Sequence, residues 1–140
     1  MRVVLDTNIV VSALLWGGLP YRLIEAASAG TIDLYSSPAL IAELAEILDR
    51  SHIAKKIAEQ GTSADEVLTL YGRLARIVSP TDVPRVVLSD PDDDHVIACA
   101  VLAGAQLVVS GDSDVLALRR HQNIDIVTPA DALRRIETIA

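Results

Sequence analysis

Short β-branched runs alternate with helix-like segments along this chain, and that alternation constrains the fold more than any other feature. Four apolar runs that precede small or acidic residues are predicted to be strands, over residues 3–5, 31–37, 105–111 and 124–128. Helical spacing, with Ser or Pro starts and Gly ends, predicts helices over residues 9–15, 20–29, 38–48, 51–60, 63–76, 92–103, 113–121 and 129–138. Residues 85–89 are apolar as well, and are either a strand or an extended link.

Strands that alternate with helices predict a parallel sheet with right-handed crossovers. We therefore expect an α/β fold of three layers, α/β/α, around a central parallel sheet of four to five strands. The length of 140 residues suits a single domain over residues 1–140. Hydrophobic residues make up 51% of the chain and Phe is absent, so Val, Leu, Ile and Ala must build the core.

The sequence also bears on the compartment of the protein. Cys99 is the only cysteine and can form no internal disulfide, which fits a reducing cytoplasm. No stretch approaches the ~18 apolar residues of a membrane helix. The apolar start is interrupted by Asp6-Thr7-Asn8, without the small-residue cleavage site of a signal peptide. We expect a soluble cytoplasmic protein with no membrane partner.

Several acids are predicted to share one edge of the sheet. Asp6 ends the first strand, Asp112 and Asp114 follow the third, and Asp94 lies in the first turn of the helix before that strand. The carboxyl ends of parallel strands and the N-termini of the returning helices meet at the same edge, where ligands bind. Three further acids stand close to Asp94, and we assign them to capping and solvation of the helix start: Asp90, Asp92 and Asp93.

Glu43 is expected to join these acids from the helix that follows the second strand. The apolar stripe of "PALIAELAEILDR" runs through Leu40, Leu44 and Ile47. At ~100° per residue, Glu43 borders that stripe, whereas Glu46 faces solvent. Helical side chains tilt toward the N-terminus, so a glutamate about one turn into the helix can reach the edge. Five acids from separate segments thus become neighbours.

The charge balance supports a cation at this edge. The net charge of −7 falls to −2 when the five acids Asp6, Glu43, Asp94, Asp112 and Asp114 are taken out of the count. Gathered carboxylates either raise one another's pKa or bind a cation that cancels their repulsion. Oxygen ligands select Mg²⁺ or Mn²⁺, whereas zinc prefers His and Cys partners, which lack metal-ligand spacing here. We expect a Mg²⁺ or Mn²⁺ carboxylate site.

Four separated motifs resemble one family in order and spacing. They are "VVLDTNIVVSALLWGG", "LYSSPALIAELAEIL", "DPDDDHVIACA" and "LVVSGDSDVLAL". Together they resemble the PIN domain, and in particular the single-domain prokaryotic PIN proteins of the VapC toxin type. The resemblance covers nearly the whole chain, with its poorest stretch at residues 51–62. It implies metal-dependent endoribonuclease activity on single-stranded RNA, neutralisation by a cognate antitoxin, and a homodimer.

The resemblance also implies roles for individual residues. Carried over by position, the acids that catalyse and hold one or two Mg²⁺ or Mn²⁺ ions are Asp6, Glu43, Asp94 and Asp112, with Asp114 as a fifth candidate ligand. The small polar residues that flank the ions are Thr7, Asn8 and Ser110. The implied mechanism is hydrolysis of a phosphodiester by a metal-activated water. Helix faces 21–29 and 40–48 are candidate dimer surfaces.

Weaker candidates for RNA binding come from the arginines and aromatic residues. Arginines attract phosphates and aromatic rings stack on bases, which nominates Arg22, Arg119, Arg120, Trp16 and Tyr21. Packing and solvated surface are the alternative roles for these five residues.

Two other classes of protein are alternatives. An aspartyl-phosphate enzyme also places acids at strand ends, but it needs a lysine near the phosphate. The only lysines, Lys55 and Lys56, lie in a middle helix. A non-catalytic PIN-like module that binds RNA or protein is the second alternative.

Overall fold

The computed structural model describes residues 1–87 and 93–139, and within these residues the chain forms six strands and eight helices. The strands are β1 (Arg2–Leu5), β2 (Asp33–Ser36), β3 (Arg76–Ile77), β4 (Leu107–Val109), β5 (Arg120–His121) and β6 (Ile124–Val127). The helices are α1 (Thr7–Leu15), α2 (Gly18–Ser28), α3 (Pro38–Leu48), α4 (Ser51–Glu59), α5 (Ala64–Leu74), α6 (Asp94–Ala103), α7 (Ser113–Leu116) and α8 (Pro129–Ile139).

The strands form one sheet in the order β3-β2-β1-β4-β6-β5. β1 lies at its centre, where Val4 pairs with Tyr35 of β2 and with Val108 of β4. All neighbouring strands are parallel except β5 and β6, which pair antiparallel. The predicted α/β architecture with a mostly parallel central sheet is confirmed, although the described sheet has six strands rather than four to five. The two additional strands, β3 and β5, are two-residue edge strands.

Both faces of the sheet are buried, as expected for parallel strands. Successive residues of β1 point to opposite faces, so Val3 and Leu5 enter one core while Val4 enters the other. The first core packs mainly under α1 to α5 and α8, and the second lies beneath α6. Cys99 of α6 is buried in the second core as a free thiol, and burial raises its pKa to about 12.

The largest error in the predicted elements concerns residues 113–121. The helix there ends at Leu116, and the backbone of Arg119 adopts a left-handed conformation with φ 57°. The chain then forms β5 and reverses direction in a turn with positive φ at Gln122 and Asn123. This turn leads into β6, which pairs antiparallel with β5. The helix predicted over residues 63–76 likewise ends at Leu74, because β3 follows. Of the ambiguous segment 85–89, residues 85–87 form no regular element and residues 88–89 lie outside the described residues.

None of the helices in the described ranges is by itself long and apolar enough to cross a membrane. α1 and α2 reach that length only when taken together, and their axes are bent by 94°. Gly17 and Gly18 form this bend with φ values of 76° and 70°, a region that glycine enters at little cost.

Candidate active site

The carboxyl edge of the sheet brings Asp6 and Asp112 together through one serine. Asp6 follows β1 and is only 4% exposed, and its backbone N–H donates to the carbonyl of Val109 at the end of β4. Ser110, fully buried, donates from Oγ to Oδ2 of Asp6 at 2.7 Å. The same Oγ accepts from the backbone N–H of Asp112 at 3.0 Å. Ser110 therefore orients one carboxylate and positions the residue that carries the other.

Asp112 is held by the start of α7. Its Oδ1 accepts from the backbone N–H groups of Asp114 and Val115, at 2.8 and 3.2 Å, as an N-cap does. Among the described residues, no group donates to its Oδ2, and the side chain is exposed. Asp114 is also exposed in the first turn of α7. The carboxylate of Asp112 thus has one anchored oxygen and one that faces solvent.

Thr7 and Asn8 occupy different environments beside Asp6. Thr7 is buried, and its Oγ1 makes no hydrogen bond in the described structure. Such a buried hydroxyl is costly unless a partner such as an ion or water completes it. Asn8 is exposed on α1.

Glu43 lies on α3, which begins next to Asp6 at the same edge. Register between β1 and β2 places Ser36 and Ser37 beside Leu5 and Asp6, and Ser37 caps α3 by accepting from the N–H of Leu40. Glu43 is half-buried, five residues after Pro38, whereas Glu46 is exposed. The predicted difference between the two glutamates, one bordering the core and one solvated, is confirmed.

Asp94 is buried to 1% exposure, and protein groups satisfy its charge. Its Oδ1 accepts from the backbone N–H groups of Val86 and Val87 at 2.8 and 2.6 Å, and its Oδ2 pairs with Nε of Arg85 at 3.0 Å. Burial raises the pKa of Asp94, but the two amide hydrogen bonds and the Arg85 guanidinium outweigh it, so the pKa lies below its ordinary value. The first residue of α6 therefore fixes residues 85–87 through two backbone amides and the Arg85 side chain.

We expect Asp94 to stabilise the fold only above the pH at which it is charged. Because its pKa is lower in the folded chain than in the unfolded chain, its contribution is complete above about pH 4 and is lost as pH falls through the folded pKa. Urea unfolding of wild type and Asp94→Asn from neutral to acidic pH measures this contribution. The difference in unfolding free energy should shrink at acidic pH, and a difference that is unchanged there would contradict the assignment.

The sequence assigns Asp93 to capping and solvation, and the structure places it at the N-cap position of α6, half-buried, but without a capping hydrogen bond. Its backbone is already helical, with φ −67° and ψ −21°, and its Oδ2 is buried. Asp90 and Asp92, which received the same assignment, lie outside the described residues.

Arg85 was missed altogether by sequence reasoning. It lies nine residues before Asp94, in a segment with no helical or strand periodicity that could relate the two.

The residues of this edge fit Mg²⁺ or Mn²⁺ in donor type. Carboxylate and hydroxyl oxygens suit these hard cations, and the buried Thr7 hydroxyl and the solvent-facing Oδ2 of Asp112 provide two such oxygens at the edge. In residues 1–87 and 93–139, however, no three His, Cys, Asp or Glu side chains are close enough to hold an ion. Asp6 and Asp112 are the connected pair, and the full ligand set of Asp6, Glu43, Asp94, Asp112 and Asp114 stays a prediction.

The arginines nominated for RNA binding lie mostly away from these acids. Arg22 pairs with Glu137 at 2.9 Å, and Glu137 is eight residues into α8, roughly 12 Å from the helix start at the carboxyl edge. Arg120 lies opposite Asp125 at the amino end of β6 and forms a 3.7 Å ion pair with it. Arg119, one residue nearer the carboxyl edge, is exposed.

The aromatic candidates and Lys56 lie at the far end of α1. Trp16 and Tyr21 are exposed around the α1–α2 bend, and the ammonium of Lys56 lies 5.9 Å from the centroid of the Trp16 ring. Trp16 follows α1, which is nine residues long, so about 13 Å of helix separates it from Asp6. Lys56 is therefore not placed to assist an aspartyl phosphate at Asp6.

Comparison with known proteins identifies the family. The PIN domain family model matches residues 2–114, most of the chain and all of the segments that form this edge. The chain belongs to the PIN domain family. Among curated proteins, none matches it.

A solved structure supports the same fold for this PIN domain. A chain in the crystal structure of VapBC2 from Rickettsia felis, bound to a DNA fragment from their promoter, superposes with a TM-score of 0.62. The match covers 90% of this chain and 97% of that chain, at 15% sequence identity. At that identity the likeness shows the fold alone.

Proposed function

We propose that this PIN domain is a Mg²⁺- or Mn²⁺-dependent endoribonuclease that cleaves single-stranded RNA, and that it is the toxin of a toxin–antitoxin pair. One observation carries the proposal: Ser110 bridges Asp6, which follows β1, and Asp112, in the loop after β4, at the edge where α3 begins. Family membership supports nuclease chemistry at these acids.

The chain's own residues would act as follows. Asp6, oriented by Ser110, would hold the ion together with Asp112. The resemblance adds Glu43 on α3 and Asp94, whose carboxylate already accepts from Arg85 and two backbone amides. When bound, the ion lowers the pKa of a water ligand and stabilises charge on the attacked phosphate. A carboxylate of this set orients the attacking water or accepts its proton.

Cleavage of a mixed-sequence single-stranded RNA by the purified chain tests the proposal. We expect cleavage with Mg²⁺ or Mn²⁺ and none with EDTA, together with Mn²⁺ binding in calorimetry. Metal-independent cleavage would overturn the mechanism. Absence of both cleavage and Mn²⁺ binding would favour the non-catalytic RNA- or protein-binding module.

Glu43→Gln is expected to lower RNA cleavage by roughly 10²- to 10³-fold and to weaken Mn²⁺ binding, because it removes one negative oxygen ligand at the edge. Glu46→Gln is the matched control, since it makes the same chemical change on the exposed side of α3. Cleavage rates and Mn²⁺ calorimetry of both variants provide the measurement. Equal effects of the two substitutions would remove Glu43 from the site.

The proposed partner is a cognate antitoxin in the cytoplasm. Support comes from the structural neighbour, which is a VapBC complex, and the single reduced cysteine, Cys99, is consistent with that compartment. If the chain is a toxin, its expression arrests growth of the host while an Asp6→Asn variant does not. If neither protein affects growth, the toxin role is overturned, and the ribonuclease proposal stands by itself.

A further inference from the structure

The segment that follows β3 runs along the carboxyl edge of the sheet. β3 is parallel to β2, and just beyond its end the N–H of Val78 donates to the carbonyl of Ser36, the last residue of β2, at 2.9 Å. Three residues of the segment then line a groove of about 210 Å³ together with the start of α3 and the first turn of α6: Ser79, Pro80 and Val83. The segment therefore connects the two helix starts at this edge.

α6 begins at the carboxyl edge and ends at the opposite one. Its last residue, Ala103, accepts at 2.9 Å from the guanidinium of Arg2, which begins β1 at the amino edge. A helix of ten residues spans roughly 15 Å, enough to cross the sheet. Asp94, its first residue, therefore lies toward the edge that carries Asp6 and Asp112. Arg85, which pairs with Asp94, lies there as well.

Arg85 is fixed at this edge and still accessible. Its Nε donates to Oδ2 of Asp94 at 3.0 Å, and the N–H groups of the next two residues donate to Oδ1. The side chain of Asp94 is 1% exposed, whereas that of Arg85 is 54% exposed. A guanidinium held by a buried carboxylate, on a backbone that is itself hydrogen-bonded, loses less conformational entropy when it binds a ligand than a mobile arginine does.

The other ion-paired arginines stand by different acids. Among the six arginines that form ion pairs in residues 1–87 and 93–139, Arg85 is the one whose partner belongs to the PIN motif. The partners of the other five are Asp33, Asp125, Asp131 and Glu137. The chain carries a net charge of −7, and phosphates bind where basic groups neutralise them. Arg85 supplies such a group beside the acids.

We propose that Arg85 binds a backbone phosphate of the RNA strand at this edge and that Asp94 is the residue that positions it. This role rests on the proposed ribonuclease function and adds to it a substrate contact made by the protein itself. A planar guanidinium presents paired N–H donors that match two oxygens of one phosphate. Phosphate contacts of this kind place a strand without reading its bases. Arg85 thus contributes to substrate binding, whatever the RNA sequence.

Fluorescence anisotropy of a labelled single-stranded RNA with Mg²⁺ tests the contact, with every chain carrying Asp6→Asn so that the RNA stays intact. Arg85→Ala should raise the Kd about fivefold and reduce the slope of log Kd against log salt by roughly 0.7, the value for one phosphate contact on a single strand. Arg85→Lys keeps the charge, so it should retain the slope and recover part of the affinity. Two RNAs of unrelated sequence should respond alike.

Arg120→Ala is the matched control. It removes the same charge from an exposed, ion-paired arginine at the amino end of β6, and it should leave both the Kd and the salt slope unchanged. In cleavage by chains that retain Asp6, Arg85→Ala should raise KM about fivefold and leave kcat within about twofold, because the contact is made before and during the reaction alike. A purely structural role for Arg85 would not change the salt slope.

Two results would overturn the proposal. One is an unchanged Kd and salt slope in Arg85→Ala while the parent chain binds RNA, which leaves the ribonuclease proposal standing. The other is an equal loss of affinity in Arg85→Ala and Arg120→Ala, which would assign the effect to overall charge. A parent chain that binds no RNA, together with a wild type that cleaves none, overturns the ribonuclease proposal and this contact with it.

Discussion

Replacement of Asp6 by asparagine is expected to reduce RNA cleavage by at least about 10³-fold, because the ion would lose a buried anionic ligand worth several kcal/mol of transition-state stabilisation. Asparagine matches aspartate in shape and retains an oxygen that accepts from Oγ of Ser110. The loss would therefore come from the charge. Steady-state cleavage with Mn²⁺ and Mn²⁺ calorimetry measure the two consequences, and both should decline together.

Glu46→Gln, an exposed carboxylate on α3, serves as the control for Asp6→Asn. It should leave cleavage and Mn²⁺ binding at wild-type levels. An Asp6→Asn variant that is folded and still cleaves RNA at the wild-type rate would remove the β1 acid from catalysis and with it the proposed metal site.

The second large effect is on stability, at Asp94. Asp94→Ala should lower the free energy of unfolding by about 3–5 kcal/mol, because the N–H groups of Val86 and Val87 and the Arg85 guanidinium lose their acceptor in a buried place. For a domain of this size that loss corresponds to a fall in Tm of roughly 10–15 °C. Thermal unfolding by circular dichroism and urea titration both report it.

Arg85→Ala is the matched variant on the other side of the ion pair. Its side chain is 54% exposed, so solvent screens the pair and the loss should be only about 1 kcal/mol. The diagnostic result is a larger loss of unfolding free energy for Asp94→Ala than for Arg85→Ala, since the backbone amides depend on Asp94 and not on Arg85. Equal and small losses would mean that Asp94 does not fix residues 85–87.

Local sequence patterns predicted the architecture and the difference between the glutamates. The short apolar runs of β1, β2, β4 and β6 alternate along the chain with helical segments, a pattern typical of a buried parallel sheet. The helical period alone predicted that Glu43 borders the core and Glu46 faces solvent, because both residues lie on one regular helix. Placement of Asp6 and Asp112 at one edge followed from the polarity of parallel strands.

Residues 113–121 show where local patterns are insufficient. Their apolar spacing fits a helix, yet the helix ends at Leu116 because Arg119 turns left-handed and Arg120 pairs in register with Asp125. Hydrogen bonding to the exposed edge of β6 competes with helix continuation there. Two residues of pairing are too few for strand periodicity to be visible in the sequence.

The sequence by itself determined the four longer strands of the sheet and the place of Asp6 and Asp112 at its carboxyl edge, because strand and helix periods are local properties of the chain. Only the tertiary structure decided that Ser110 bridges Asp6 to Asp112 and that Arg85 and two backbone amides hold Asp94. These contacts involve residues of irregular segments, where the sequence has no helical or strand periodicity. Their geometry therefore depends on how the whole chain packs.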